Sequence, residues 1–429
     1  MKRSTLVIAA WLFVTIGYAQ QARQDFKADR NLSASNYVAY PGPLQQTLSP
    51  APADYVPCYI SHYGRHGSRY LIGTNDYDRP YYTLMRADSL GKLTETGRDV
   101  LRRVRMIREE AQGRDGELTR RGAEQHKQIA RRMFERFPQV FEGPANVDAK
   151  STVVIRCILS MENALQQLIL LNPQLHISHD ASHHDMYYMN QTDRALKARK
   201  MTPEAKKSYD AFAARHANCS HLMGLIFNDA TYWQHSIDAN KLASQLYVLA
   251  SNVQSTELRH SLTLYDLFTD DELYDAWLCT NAWWYINYGP SPLNGGTQPY
   301  SQRNLLRMII HEADSCLQLP RCGATLRYGH DTMVMPLTCL LGINGYGRQI
   351  TDLEQLDDAG WCDYRIFPMG SNLQFVFYRS PSRPDDIILK VLLNENETTL
   401  PVKTDIAPYY HWRDFRNYYL KKLDAYKAD

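Results

Sequence analysis

The chain has 429 residues, 44% hydrophobic and 22% charged, the make-up of a folded protein with one large α/β domain carrying an insertion, or two domains. Its 48 Lys and Arg against 46 Asp and Glu leave a net charge of +2. The molecule as a whole therefore exerts no pull on nucleic acid or an anionic membrane, and any anion must be held by a local cluster.

Lys2 and Arg3 precede the apolar run LVIAAWLFVTIGYA (6–19), in which Gly17 and Ala19 stand as a cleavage signal would. Residues 1–19 are expected to be a signal peptide, leaving an exported, soluble protein, periplasmic or secreted. Residues 20–50 are polar and turn-rich and are expected to cross the surface as an irregular segment. YVPCYISHYG (55–64) reads as a buried strand, broken by Gly64 and Gly67. Apolar positions from Leu93 to Ala111 mark one face of a helix. A second helix follows ELTRRGAEQH, with Thr119 as its N-cap. STVVIRCIL (151–159) begins β-branched and strand-like, then passes into a helix.

Residues 172–300 change character: they are rich in His, Tyr, Asn and Asp, with helical pieces and no strong strand signal. Beyond them come a helix (NLLRMIIHEADSCL), a strand (GATLRYGHD) and a helix carrying a proline (MVMPLTCLLG). A hairpin (NLQFVFYRS and DIILKVLLNEN) and an amphipathic closing helix complete the chain. This order predicts a discontinuous α/β core, residues 20–171 and 301–429, interrupted by a mostly helical lid domain, 172–300. Among eight cysteines there is no C-x-x-C pair, which disfavours a zinc ribbon or redox motif. Cys316 and Cys322 are spaced to close a short loop, whereas Cys157 and Cys339 read as buried thiols.

The chemistry concentrates at SHYGRHGSRYL (61–71). A strand ending in Arg65-His66-Gly67 delivers side chains to the carboxyl edge of a sheet, where open α/β folds bind ligands. Two guanidiniums within five residues, Arg65 and Arg69, suit the oxygens of a phosphate, and the imidazole between them is placed to attack phosphorus. An arginine-rich surface turn would show the same five letters, so the downstream sequence has to decide. The chain contains four His-acid dipeptides, against about 1.5 expected by chance from 14 His and 46 acidic residues. His330-Asp331 is set apart by its context, a strand running through Gly329 into a helix whose free N–H groups face an anion.

These segments resemble the histidine acid phosphatases, branch 2 of the histidine phosphatase superfamily. RHGSR is similar to that family's R-H-G-x-R-x-P signature, except that Leu71 stands where the family has a proline that shapes the turn. GHDT (329–332) is similar to its strand–G-H-D-T–helix segment. KSTVVIRC is similar to its R-S-T-x-x-x-R segment, with Lys150 where an Arg often stands, and LTRRG to its L-T-x-x-G segment. The resemblance spans residues 58 to about 342. It implies a phosphoglycerate mutase-like α/β core with helices on both sheet faces. It further implies His66 as a nucleophile forming a phosphohistidine, and Asp331 as the proton donor to the leaving group. Arg65, Arg69, Arg156 and His330 would clamp the phosphoryl oxygens. No metal or other cofactor is implied, because the cationic side chains do the work that Mg²⁺ does elsewhere. An acid-to-neutral optimum follows, since Asp331 must be protonated and His66 must keep a lone pair.

The Tyr-rich surroundings and the Arg156-Cys157 pairing resemble the multiple inositol polyphosphate phosphatase branch, bacterial phytases included. That branch commonly carries His-Ala-Glu at the donor, where this chain has His330-Asp331-Thr332. The expected substrate is an inositol polyphosphate such as phytate; the alternative is a broad-specificity or sugar-phosphate acid phosphatase. Arg79 and Arg86, taken as lying in the loop after the signature, and Lys150 are candidate substrate contacts. HISHDASHHD (176–185) lacks a metal-binding spacing, and WLCTNAWWYINYG (277–289) reads as lid core. A phosphoglycerate mutase-like transferase would share the core without the leader or the large insertion. An inactive exported binding protein would not need every catalytic residue type.

Overall fold

The computed structural model describes residues 21–427, so the expected leader lies outside the described residues. One eight-stranded sheet organises the chain: β1 (Val56–Arg65), β2 (Asn146–Ser151), β3 (His176–Asp180), β4 (Gly323–Gly329), β5 (Asn372–Ser380), β6 (Arg383–Leu393), β7 (Asn396–Glu397) and β8 (Tyr410–His411). Their order is β3-β2-β4-β1-β5-β6-β7, with β8 on β6. The first four are parallel; β5 and β6 form an antiparallel hairpin against β1. Strands buried on both faces read as near-continuous apolar runs, which is why β1, β4, β5 and β6 stand out in the sequence.

Alternation along β1 sends Tyr59 and Tyr63 to one face and Ile60 to the other. Helices Arg303–Cys316, Asp331–Leu341 and Trp412–Ala425 cover the first face, and Arg120–Arg136 and Ile155–Leu171 the second. This is the α/β core with helices on both sides. The inserted stretch packs in two places. Trp277 and Tyr285 join the core under the sheet, as the aromatic run suggests. Leu222 to Leu273 pack instead against helices Thr74–Ser89 and Glu95–Ala111, so the helical layer is built from two separate parts of the chain.

Several expectations are corrected. Residues 176–180, assigned to the insertion, form edge strand β3; four of its five residues are exposed, so its sequence HISHD carries no apolar alternation. The strand sought in STVVIRCIL lies earlier, at Asn146–Ser151, and Ile155 already opens the helix. Pairing with β4 stops at Ser151 opposite Tyr328, because β4 itself ends one residue later. The first part of the N-terminal segment is helical, with helix Gln21–Ala28 and a 3₁₀ stretch Arg30–Tyr37 that hides Ser33, Ala34, Ser35 and Asn36; residues 38–50 form no helix or strand. All eight cysteines are free thiols; Cys322, just before β4, faces Cys58 of β1 rather than Cys316. Cys157 and Cys339 are buried, as expected. No helix among the described residues is long and apolar enough to cross a membrane.

Two loops lock together at the sheet edge. Thr119 caps helix Arg120–Arg136 by accepting from Gly122 N at 3.2 Å, while its own N–H donates to Ser68 O at 2.9 Å. A Cβ on Gly122 would fall within the radius of Ser68 O, and one on Gly67 within that of Gly122 O. Backbone meets backbone, and only glycine permits it. Gly122→Ala should cost about 1–3 kcal/mol of stability through overpacking and displace the signature loop. Gly224→Ala, at a helical glycine with open space around it, should be neutral or stabilising. Thermal unfolding of the two variants checks the contrast.

Candidate active site

Register places the motifs together. Arg65 pairs with Gly329 and Ser151 with Tyr328, so His66, His330 and Thr152 leave three adjacent strands side by side at their carboxyl ends. His66 N donates to Gly329 O at 2.9 Å, and the His66 and His330 rings stand 5.8 Å apart. Asp331 is the first residue of its helix. Arg156 is the second residue of helix Ile155–Leu171.

Arg65 is fully buried. Its Nη2 lies 2.6 Å from Asp331 Oδ2, and its Nη1 donates to Asn36 O and Phe367 O at 2.6 and 2.7 Å. Arg69 donates to Tyr70 O at 2.8 Å and lies over the Tyr37 ring. Arg69 Nε and Arg156 Nε are buried without a protein partner. Buried guanidinium N–H groups left open in this way are donors for an oxyanion.

His66 Nδ1 lies 2.9 Å from Gly67 O. A carbonyl only accepts, so the proton sits on Nδ1 and Nε2 keeps its lone pair. Burial, followed by the charges of Arg65, Arg156 and Arg69, holds the His66 pKa well below the ordinary histidine value. Burial and Arg156 likewise bring His330 down to about 4. Burial acts to raise the Asp331 carboxyl, but Arg65, Arg69 and His330 outweigh it and hold it below the usual range. At neutral pH both imidazoles are therefore neutral and Asp331 is charged.

His66, Arg65, Arg69, Arg156, His330 and Asp331 are thus brought into one buried cluster. Three other candidates are not. Arg79 and Arg86 stand on helix Thr74–Ser89, not in a loop, and line a separate cavity of about 470 Å³ with Asp78, Tyr82 and Lys241. Lys150 faces Asp185 at 3.6 Å, and after an opposing burial effect, Tyr188 and Asp185 raise its pKa. Sequence reading missed Asn36, whose Nδ2 donates to Asp331 Oδ2 at 3.3 Å, and Thr152, whose Oγ1 lies 3.2 Å from His330 Nε2. Thr152 had a signal, as the Thr of KSTVVIRC; Asn36 had none.

Leu71 also finds its reason. Its N–H donates to Tyr77 Oη at 2.7 Å, a bond no proline there could make.

With the geometry in view, the family is plain. The sequence model of the histidine phosphatase superfamily (branch 2) matches residues 65–394, and the chain belongs to that family: it is a phosphatase, a hydrolase of phosphate esters. The fold is that of the Bifidobacterium longum multiple inositol polyphosphate phosphatase, solved with inositol hexasulfate. The TM-score is 0.73 at 18% identity, over 89% of this chain and 96% of that one. It is also that of the D. castellii phytase (0.69, 13%, 92% and 85%) and, more distantly, of the Hafnia alvei phytase with myo-inositol hexakis sulphate (0.51, 16%, 86% and 98%). No curated protein matches the chain.

Tyr77→Phe removes the only acceptor that the buried Leu71 N–H has among the described residues. It should cost about 1–3 kcal/mol, read as a lowered midpoint in denaturant unfolding.

Proposed function

We propose that the protein is an exported phosphomonoesterase that hydrolyses inositol polyphosphates such as phytate through a phosphohistidine on His66. One observation carries the mechanism: a neutral imidazole with its Nε2 lone pair free stands among three guanidiniums, beside an acid at the start of the helix that follows the neighbouring strand. Nε2 attacks phosphorus as the P–O ester bond breaks, and Asp331 passes its proton to the departing alkoxide. In the second half Asp331, now a carboxylate, takes a proton from the attacking water. The P–N bond breaks, inorganic phosphate leaves and His66 is restored. Arg65, Arg69, Arg156 and His330 hold the three equatorial oxygens throughout.

The fixed charges make substrate binding and acid activation one event. Arg65 and Arg69 keep Asp331 ionised in the free enzyme. A phosphate dianion between them offsets their field, and the Asp331 pKa rises toward what burial alone would set. Inositol polyphosphates are favoured because the B. longum and H. alvei relatives were solved with sulfated inositols. Export rests on the leader-like residues 1–19.

Phosphate release from phytate in EDTA should be abolished by His66→Ala; surviving activity would sink the mechanism. Equal or faster turnover of glucose 1-phosphate and p-nitrophenyl phosphate by the wild type would point to a broad-specificity acid phosphatase instead. Asp331→Asn should slow alkyl esters by about 10²–10⁴-fold. It should slow p-nitrophenyl phosphate far less, because that phenolate leaves without a proton.

The pH profile has a defined sign. In the substrate complex, where the bound phosphate lifts the Asp331 pKa, raising the pH deprotonates the acid, so wild-type kcat for alkyl esters should fall from pH 5 to 9. Burial and the surrounding guanidiniums hold the His66 pKa well below the ordinary histidine value, so His66 keeps its lone pair as the pH falls below neutral. In the Asp331→Asn variant this dependence should flatten.

A further inference from the structure

The two carboxylate oxygens of Asp331 stand in unlike surroundings. Oδ2 lies 2.6 Å from Arg65 Nη2 and accepts from Asn36 Nδ2 at 3.3 Å. Among the described residues Oδ1 accepts only the backbone N–H of Thr332, at 2.8 Å. Both lone pairs of Oδ2 are engaged by groups that cannot accept a proton, a guanidinium and an amide NH₂. Oδ1 keeps a lone pair open.

Asn36 is held in place from several sides. It is 6% exposed, and its own carbonyl oxygen accepts from Arg65 Nη1 at 2.6 Å. Ser35, directly before it, adopts φ +56°, and the Ser35 hydroxyl bonds Asp363. Tyr37, directly after it, lies under Arg69. Left-handed backbone at a residue with a side chain persists only where its surroundings impose it. An ionised carboxylate only accepts, so the amide must turn its NH₂ toward Asp331.

A general acid has to release its proton in one direction, toward the bridging oxygen of the ester. A proton on Oδ2 would point at two donors and break one of their hydrogen bonds. A proton on Oδ1 breaks neither, because Oδ2, as the carbonyl oxygen of the neutral acid, still accepts both. We propose that Asn36 is a positioning residue for the general acid: with Arg65 it occupies Oδ2 and so confines the transferable proton to Oδ1. The Oδ1–H bond then breaks as the proton joins the bridging oxygen, which takes the electron pair of the cleaved P–O bond. Asp331 is left a carboxylate, with two donors already on Oδ2. This rests on the reaction proposed above, with Asp331 as its acid.

Asn36→Leu and Asn36→Asp remove the amide donor and leave the backbone carbonyl on Arg65. Arg65, Arg69, Arg156 and His330 face Asp331 and are unchanged in both variants. So are Tyr63, Cys157 and Tyr288, which burial keeps neutral. Loss of a donor to the charged form makes Asp331 a weaker acid. In Asn36→Leu the alkaline fall of kcat for glucose 1-phosphate should therefore move up by about one pH unit. In Asn36→Asp, where a second carboxylate faces Oδ2, it should move further. At pH 5 kcat should drop about tenfold with KM little changed, because the proton is no longer confined to Oδ1. The kcat/KM for p-nitrophenyl phosphate should drop far less. A residue that serves the fold alone would give a lowered Tm, equal losses on both esters and an unmoved alkaline fall, and that result overturns the assignment. Should Asp331→Asn slow both esters alike, Asp331 fails as the acid by itself. The place of Asn36 is then decided without turnover, from the Asp331 carboxyl ¹³C resonance, identified by its absence in Asp331→Asn. A titration moved up in Asn36→Leu upholds Asn36 as the group that holds Oδ2, and an unmoved one overturns it.

Discussion

Everything around the site answers to one constraint, a guanidinium kept wholly out of water. Arg65 has no exposed side-chain surface, and an isolated buried cation costs several kcal/mol even after relaxation. One carboxylate and two carbonyl oxygens offset that cost, and each comes from a different part of the chain: Asp331 from the helix after β4, Asn36 from the N-terminal segment, Phe367 from the turn before β5. The N-terminal segment reaches its position through strain. Ser35 adopts φ +56°, ψ −131°, a conformation that costs a non-glycine residue about 1–3 kcal/mol. Its hydroxyl is held by Asp363, which also accepts from Trp277 Nε1 at 2.8 Å. The strained residue therefore stands directly before the one that touches both Arg65 and Asp331.

The same positive field sorts the protonation states. Together with burial, the larger cause, it keeps both imidazoles neutral, and against burial it keeps Asp331 charged. A nucleophilic histidine gains from this, because its lone pair stays free at any moderately acidic pH. A general acid loses, because its proton is withdrawn until negative charge arrives. Only a ligand that brings negative charge into the cluster reconciles the two. A phosphate ester does so, whereas a neutral ligand would leave Asp331 ionised and unable to donate.

The sequence made the centre of this arrangement legible and its margins illegible, for physical reasons. Strands β1 and β4 are buried on both faces and end in glycine-flanked charged residues, so both the strands and the groups they carry could be read. Edge strand β3 is solvated and looks like loop. The helix Thr74–Ser89 holds Pro80 in its interior, where a proline ordinarily ends a helix; this drew Arg79 and Arg86 toward the site as loop residues. Beneath the active site the N-terminal segment buries Ser33, Ala34, Ser35 and Asn36 rather than an apolar stripe, so that part of it had no periodic signal.

Leu71 shows how a departure from a family pattern can be neutral. A proline at that position would stiffen the turn by narrowing the unfolded ensemble, an effect of about 0.4–1 kcal/mol. Leucine gives that up but retains an N–H, which Tyr77 Oη accepts, and a neutral hydrogen bond contributes about 0.5–1.5 kcal/mol net. The two devices are of equal size. They differ in what they tie together: a proline stiffens only its own turn, whereas the Leu71–Tyr77 bond fastens the end of the signature loop to helix Thr74–Ser89. Through that helix the loop is joined to the layer that the inserted residues 222–273 complete. In this chain the signature loop is therefore braced by the packing of the inserted residues, and a disturbance of that packing has a short path to Arg69.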